Sequence, residues 1–218
     1  MYEFTVIFLL ALLFIIVYFI GMRRNRKIAV KYANTLKNHM SPRSEFVGFR
    51  PYSRGGFRAL CKLKENETFT QIETAVSLVD RENLMHYPLS LITKDRDRFA
   101  CWGLLKDATP FDLEVLPKTN EKLCKKMASE KNLKAVTVNN ELNEHFAVLT
   151  SDQNSANKFL LSSGLRKCLM EEKNNIKRLS LSHKDSRIYL LGELQEDSSI
   201  ESLLDIIMRC GEQSRKTQ

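Results

Sequence analysis

The sequence predicts a single N-terminal transmembrane helix followed by an α+β cytosolic domain with mainly antiparallel sheet. Three observations predict it. Residues Phe4 to Met22 (FTVIFLLALLFIIVYFIGM) form a nineteen-residue run without charge. Arg23, Arg24, Arg26 and Lys27 follow at once. Beyond residue 42, short stretches that alternate apolar and polar residues recur between amphipathic helical stretches, with turn residues separating them.

Nineteen residues at 1.5 Å rise make roughly 28 Å of helix, about the hydrocarbon thickness of a bilayer. Only Thr5 is clearly polar, so the run lacks the polar stripe of a soluble core helix. The cations on its C-terminal flank put the remainder of the chain in the cytosol and the N-terminus outside or in a lumen. A cleaved signal peptide would need basic residues before the run and a small-residue cleavage site after it; FIGMRRNRK supplies neither. Residues 1–22 are therefore expected to be a retained single-pass anchor. The membrane is the endoplasmic reticulum in a eukaryote or the plasma membrane in a prokaryote.

The net charge of +8 is unevenly spread. Between Arg23 and Lys64 twelve Lys or Arg stand against one acid, Glu45, whereas the rest of the chain is slightly acidic. Arg23, Arg24, Arg26, Lys27, Arg50, Arg54, Arg58, Lys62 and Lys64 are read as a membrane-proximal basic collar. Two ligands fit such a collar, anionic lipid headgroups and RNA phosphate; a merely solvated surface is the plain alternative. With 28% charged and 43% hydrophobic residues and few Gly or Pro, the chain behind the anchor is ordinary globular protein.

Residues 23–42 lack a breaker until Ser41-Pro42, and Ile28, Tyr32, Leu36 and Met40 recur at helical spacing. This is read as a basic amphipathic stalk whose apolar stripe must pack on the chain's own domain or face a partner helix. EFVGF (Glu45 to Phe49) and FRALCKL (Phe57 to Leu63) read as strands around the turn PYSRGG, and Phe69 to Val79 as a third. Asp80 is expected to cap a helix over RENLMHY, stopped by Pro88. FACWGLL (Phe99 to Leu105) and FDLEVL are strands, and Lys118 to Glu130 a lysine-rich helix. AVTV (Ala135 to Val138) and HFAVLT (His145 to Thr150) follow as strands. Asp152 then caps one long helix through Phe159, Leu160, Leu165 and Leu169. Leu179 to Leu194 forms a hairpin around HKDS. A last helix starts on a Ser198–Glu201 capping box and closes at Gly211. The domain is set at 43–211, divisible into two similar lobes (43–131 and 132–211), with a disordered tail at 212–218.

The sequence offers little chemistry. His39, His86, His145 and His183 are isolated, without a ligand at i+3 or i+4. The five cysteines make no C-x-x-C pair and are expected to be free thiols. Gly55-Gly56 precedes a strand rather than a helix and lacks a Walker lysine. No catalytic, cofactor-binding or metal residue and no small-molecule substrate is expected.

One family shares the order of these features. Ile20-Gly21, Asn25, Ala29 and Asn34, the Phe46-Val47-Gly48 strand, the strand bearing Cys61, the charged helix start Asp80-Arg81-Glu82-Asn83-Leu84, and Ile176 to Ser180 before the Ile188 to Leu194 strand resemble the calumin family. These coiled-coil-domain-containing endoplasmic reticulum proteins partner the small protein Asterix at the translocon. The resemblance implies a non-enzymatic docking or chaperone factor for insertion of multi-spanning membrane proteins. Its implied partners are translocon subunits, an Asterix-like membrane protein, ribosomal RNA and lipid. The chain shows no long acidic luminal region and no charged coiled-coil tail, so calcium buffering and tail-borne ribosome contact have no residues to carry them. A lipid-binding membrane adaptor and a membrane-tethered enzyme of unrecognised type are the alternatives.

Overall fold

A computed structural model describes residues 2–52, 55–86, 92–93, 95–195 and 200–217. One helix, α1, runs unbroken over Tyr2–Met40. Every side chain from Phe4 to Ile20 except Val17 is exposed on it, so the described residues leave this stretch largely uncovered until Gly21, which is buried. Among the described residues this is the one helix long and apolar enough to cross a membrane. Its second half changes character. Tyr32, Leu36 and Met40, each four residues apart, are buried in the domain core, and Ile28 packs at its edge. The stalk expected at 23–42 is therefore not a separate element, and of its two expected coverings the chain's own domain takes the stripe rather than a partner helix. Anchor and domain share one helix, and the chain's own sheet covers its apolar stripe.

The nine strands are β1 (Ser44–Tyr52), β2 (Gly56–Leu63), β3 (Phe69–Ser77), β4 (Asp97–Leu105), β5 (Leu113–Pro117), β6 (Lys134–Val136), β7 (Phe146–Thr150), β8 (Ile176–Ser182) and β9 (Arg187–Leu194). They form a single sheet in the order β1-β2-β3-β4-β9-β8-β5-β7-β6, antiparallel at every pairing. The anchor followed by an α+β domain is thus as expected, but the two lobes are not. Hairpin β8–β9 from the second half is inserted between β4 and β5 of the first, which joins both halves through one set of ladder bonds. The second half also contains an additional short helix, α3 (Asn140–His145), capped by the Asn139 side chain.

One face of the sheet carries the main core. In β2, Phe57, Ala59, Cys61 and Leu63 point into it, and Arg58, Leu60 and Lys62 point away, the alternation expected of a half-buried strand. Over this face lie the second half of α1, α4 (Gln153–Leu160), α5 (Ser163–Glu171) and α6 (Ile200–Thr217). The single helix expected after Asp152 is two helices. Asp152 does cap the first, accepting from the Asn154 and Ser155 amides. Phe159 and Leu160, however, are out of phase with Leu165 and Leu169, and the break at Leu161-Ser162 turns both pairs inward.

α6 does not stop at Gly211, and residues 212–217 form no disordered tail. A Cβ at Gly211 would lie 2.4 Å from the Phe69 ring, so glycine there serves close packing within a helix rather than termination. Ser214, one turn on, is buried. The helix expected after Asp80 is also absent as drawn. Residues 81, 82, 84 and 85 are turns, Asn83 Oδ1 accepts from the Met85 and His86 amides, His86 is the first helical residue, and residues 87–91 lie outside the described residues. Ser198 of the capping box lies outside them too.

On the opposite face, α2 (Glu121–Lys131) covers only the β5–β7–β6 end, packing Met127 on Leu116, Leu133 and Leu149. Asn120 caps it, and Asn132 ends it in the left-handed conformation at φ 51°. Among the described residues, no helix lies over the remainder of this face, from β1 to β9. Truncation of Leu36, which is fully buried between α1 and the sheet, should lower unfolding free energy by about 2–5 kcal/mol. Denaturant melts of the Leu36→Ala protein in detergent check this; an unchanged midpoint would mean α1 does not pack on the domain.

Candidate functional site

Where α1 leaves its apolar run, three segments converge on it. A Cβ at Gly21 would lie 2.2 Å from the Arg81 carbonyl oxygen, so this position admits only the close approach of backbone that glycine allows. One turn on, Asn25 is 1% exposed and joins a buried polar cluster with Arg81 and Asp97. Arg81 Nη1 donates to Asn25 Oδ1 and Asp97 Oδ1, both at 2.9 Å, and Nη2 donates to Asp97 Oδ2 at 3.1 Å. Asn25 Nδ2 donates to the Val79 carbonyl at 3.1 Å, and the Val79 amide donates to Asp97 Oδ1 at 2.8 Å. The tip of hairpin β1–β2 closes the same end, since Gly55 lies 3.5 Å from the Asn25 side chain when given a Cβ.

This geometry divides the predicted basic collar. α1 advances about 22 Å from Asn25 to Met40, and β2 about 20 Å from Gly56 to Lys62. Lys62 and Lys64 are therefore at the membrane-distal end, where Lys64 Nζ donates to the Pro42 carbonyl at 2.7 Å. Arg23, Arg24, Arg26 and Lys27 are exposed on α1 at the membrane boundary. Arg50 and Arg58 occupy the uncovered sheet face, Arg50 3.6 Å from Glu73 and Arg58 stacked 4.3 Å over the Tyr52 ring. Arg54 lies outside the described residues. The nine cations thus do not make one patch. Spacing along a hairpin shows which face a residue takes, but the return of the strand away from the bilayer carries its later residues out of reach.

The uncovered face has an organisation of its own. Ladder register sets Gly48, Leu60, Glu73, Trp102, Tyr189, Ser180 and Glu114 in one row across it. The Trp102 and Tyr189 rings stack at 5.5 Å, with the Arg178 guanidinium 5.7 Å from the Tyr189 ring. A cleft of about 510 Å³ opens beside them, between α2 and strands β8 and β9, lined by Arg98, Leu123, Lys177, Arg178, Tyr189 and Leu191 among others. The row ends under α2 at Glu114, which is 0% exposed. Arg178 binds both its oxygens at 2.8 and 2.9 Å, Lys131 reaches Oε1 at 2.7 Å, and the Ser180 hydroxyl donates to Oε1 at 2.7 Å. Burial by itself would raise the Glu114 carboxyl, but the hydrogen bonds from Arg178, Lys131 and Ser180 together outweigh it and hold the group below the ordinary carboxylate range. Sequence reasoning missed this cluster and the Asn25 latch alike, because their members are distant in sequence and converge only through strand order.

Groups that could act as nucleophiles or ligands stand apart. Burial pushes the Cys61 thiol up to about 12 and raises Cys101 and Cys210 as well, which leaves essentially no thiolate at neutral pH. All five cysteines are free. His39 pairs with Asp205 at 3.1 Å and His145 with Lys173 at 3.0 Å, each a separate surface contact. Among the described residues no group of three or more His, Cys, Asp or Glu is placed to hold a metal ion.

Two predictions follow from these clusters. Asp97→Ala leaves the 9%-exposed Arg81 guanidinium buried without its carboxylate, and should cost about 3–5 kcal/mol. Asn25→Ala, which removes one hydrogen bond from the Arg81 guanidinium and one to the Val79 carbonyl but leaves the Arg81–Asp97 ion pair intact, should cost about 1–3 kcal/mol. Equal losses in chemical denaturation would refute this ranking. For Glu114 the folded state holds the carboxyl lower than the unfolded chain does. Its contribution is complete above the unfolded value near 4.3 and is lost as pH falls below that. Glu114→Gln should therefore flatten the acid limb of the stability–pH profile, measured as melting temperature from neutral pH down to about pH 3.

No family model matches the chain, and no curated protein does either. Among solved structures, the crystal structure of the mycobacterial trehalose monomycolate transport factor A, TtfA, is similar over 90% of this chain and 94% of that one, at 10% identity and a TM-score of 0.37. That likeness is too slight to assign a fold family or an activity.

Proposed function

We propose that this protein is a membrane-anchored, non-enzymatic docking factor. A single span, with the N-terminus outside or luminal, holds the domain on the cytosolic side, and the uncovered sheet face receives a partner. The observation that carries this reading is the mount. α1 continues without a break from the apolar run into the domain core, and the Asn25–Arg81–Asp97 cluster clamps it where the two meet. A domain held in this way presents its Trp102–Tyr189 row and the Arg178 cleft at a set height and angle to the bilayer, which is what a docking platform requires. The calumin resemblance sharpens the proposal to sites of multi-spanning membrane-protein insertion, with translocon subunits, an Asterix-like membrane protein and ribosomal RNA as partners. The compartment is then the endoplasmic reticulum in a eukaryote and the plasma membrane in a prokaryote.

A second reading is favoured by one observation. Arg23, Arg24, Arg26 and Lys27 are exposed in the turn after the apolar run, where each would gain about 1 kcal/mol from anionic headgroups. On that reading the protein is a lipid-binding adaptor that uses four of the nine collar residues.

A photo-crosslinking amino acid in place of Trp102, in native membranes, tests the docking reading. Crosslinks to integral membrane proteins and salt-sensitive co-sedimentation with ribosomes are expected. A crosslinker replacing Lys184, on the β8–β9 turn at the far end of the sheet, should capture neither. If Trp102 captures only lipid while the protein stays with stripped membranes, the adaptor reading replaces docking.

A further inference from the structure

We propose that the cleft between α2 and strands β8 and β9 binds a small organic anion with an apolar body, its carboxylate or phosphate head held by Arg98 and Lys177. The inference goes beyond docking and does not depend on it. At about 510 Å³ the cleft is within the roughly 300–1,000 Å³ typical of small-ligand sites. Its lining has the composition of such sites too, apolar surface with a few charged groups among it. Leu123, in the first turn of α2, supplies one wall, and Tyr189 and Leu191 of β9 supply apolar surface on the sheet side.

Charge selects the class of ligand. Arg98, Lys177 and Arg178 line the cleft against one acid, Glu193. Glu193 stands opposite Arg98 in the β4–β9 ladder, but its Oε2 lies 3.1 Å from Lys177 Nζ. Glu114, buried beside the cleft, binds both Arg178 and Lys131, so it cancels only one of them. Positive charge is therefore in excess. Arg98 is exposed and has no side-chain hydrogen bond or ion pair among the described residues. A single exposed arginine is ordinary on a protein surface. This one borders a concave site that also presents a tyrosine ring and two leucines. A head group that takes both prongs of the guanidinium can rest an attached apolar body on those side chains. An uncharged apolar ligand would leave the cations without a counter-charge, and a bare anion would leave the apolar surface uncovered.

The chain's single tryptophan, Trp102, stacks on Tyr189 beside the cleft and serves as the reporter. The full chain in phosphatidylcholine nanodiscs is titrated with hexyl phosphate and with hexanoate, which separates the two head groups. Hexanol is the uncharged counterpart, and inorganic phosphate the head alone. Isothermal titration calorimetry of the same ligands covers a silent tryptophan, and melting temperatures check that each variant is folded. At least one of the two amphipathic anions should bind saturably, about tenfold or more tighter than hexanol and inorganic phosphate. Arg98→Gln should weaken that binding about tenfold, the loss of one charge-assisted contact. Lys177→Gln should weaken it as well. The inference is overturned if neither anion binds saturably by either method, if hexanol or inorganic phosphate binds as tightly, or if both folded variants bind as the parent does. Since no protein partner is present in the titration, each of these results leaves the docking reading to its own test.

Discussion

The structure depends on a buried arginine that belongs to neither of the elements it joins. Arg81 occupies the turn after β3, yet its guanidinium bridges Asn25 of α1 and Asp97 at the start of β4. A buried cation needs a carboxylate and filled donor positions to offset its lost hydration. Asp97 supplies the first in a two-pronged geometry, and Asn25 Oδ1 accepts a further N–H of Arg81 while Asn25 Nδ2 donates to the Val79 carbonyl. Each of the three groups would be costly alone at that depth. Only when the helix exit, the β3 turn and the β4 start meet are all of them satisfied, so the cluster selects one arrangement of span against sheet rather than a range of them.

From this follows the division of α1 into two environments without a break in its backbone. On the anchor side the residues from Phe4 to Ile20 are apolar apart from Thr5 and exposed apart from Val17; beyond Asn25 the buried apolar residues form the Tyr32–Leu36–Met40 stripe, and the sheet and α6 cover it. A flexible joint between the two would let the domain swing. The helix instead has continuous hydrogen bonding through the joint, and its side is clamped there. The Tyr32 hydroxyl, donating to the Gln195 carbonyl at 3.3 Å, ties it again to the end of β9. Orientation of the domain relative to the apolar run is thereby a property of the fold.

Much of this was legible in the sequence, and the reasons it was partial are physical. The anchor was readable because hydrocarbon thickness sets a length and an absence of charge that few soluble helices match. FRALCKL and FACWGLL were readable as strands because one buried face imposes a period of two. The lobes were misread because local patterns say nothing about which strand lies beside which, and β8–β9 joins β4 to β5 through pairs as far apart in sequence as Asp97 and Leu194. Gly211 was misread as a terminator because the sequence cannot show that the ring of Phe69 comes against it. The Asn25 cluster left no local trace at all: Asn25 stands inside a cationic run, and Arg81 in a stretch that looks like a helix start.

Charge distribution shows the same limit and also what the fold does with it. The twelve cations between Arg23 and Lys64 form one block in sequence, but α1 and β1 run in opposite directions, so the chain carries them away from the membrane and partly back again. Arg23 to Lys27 remain at the boundary, Lys62 and Lys64 end at the far side, and Arg50 and Arg58 are turned onto the uncovered face and engaged by Glu73 and Tyr52. A sequence block of like charge therefore becomes three separate environments. The uncovered face is not dominated by positive charge as a result; Glu73 and Glu193 meet Arg50 and Lys177 there, and aromatic rings lie between. Such a mixed polar and aromatic surface has the composition of a protein-docking face rather than of a phosphate-binding one, so the proposed docking fits a polypeptide better than RNA.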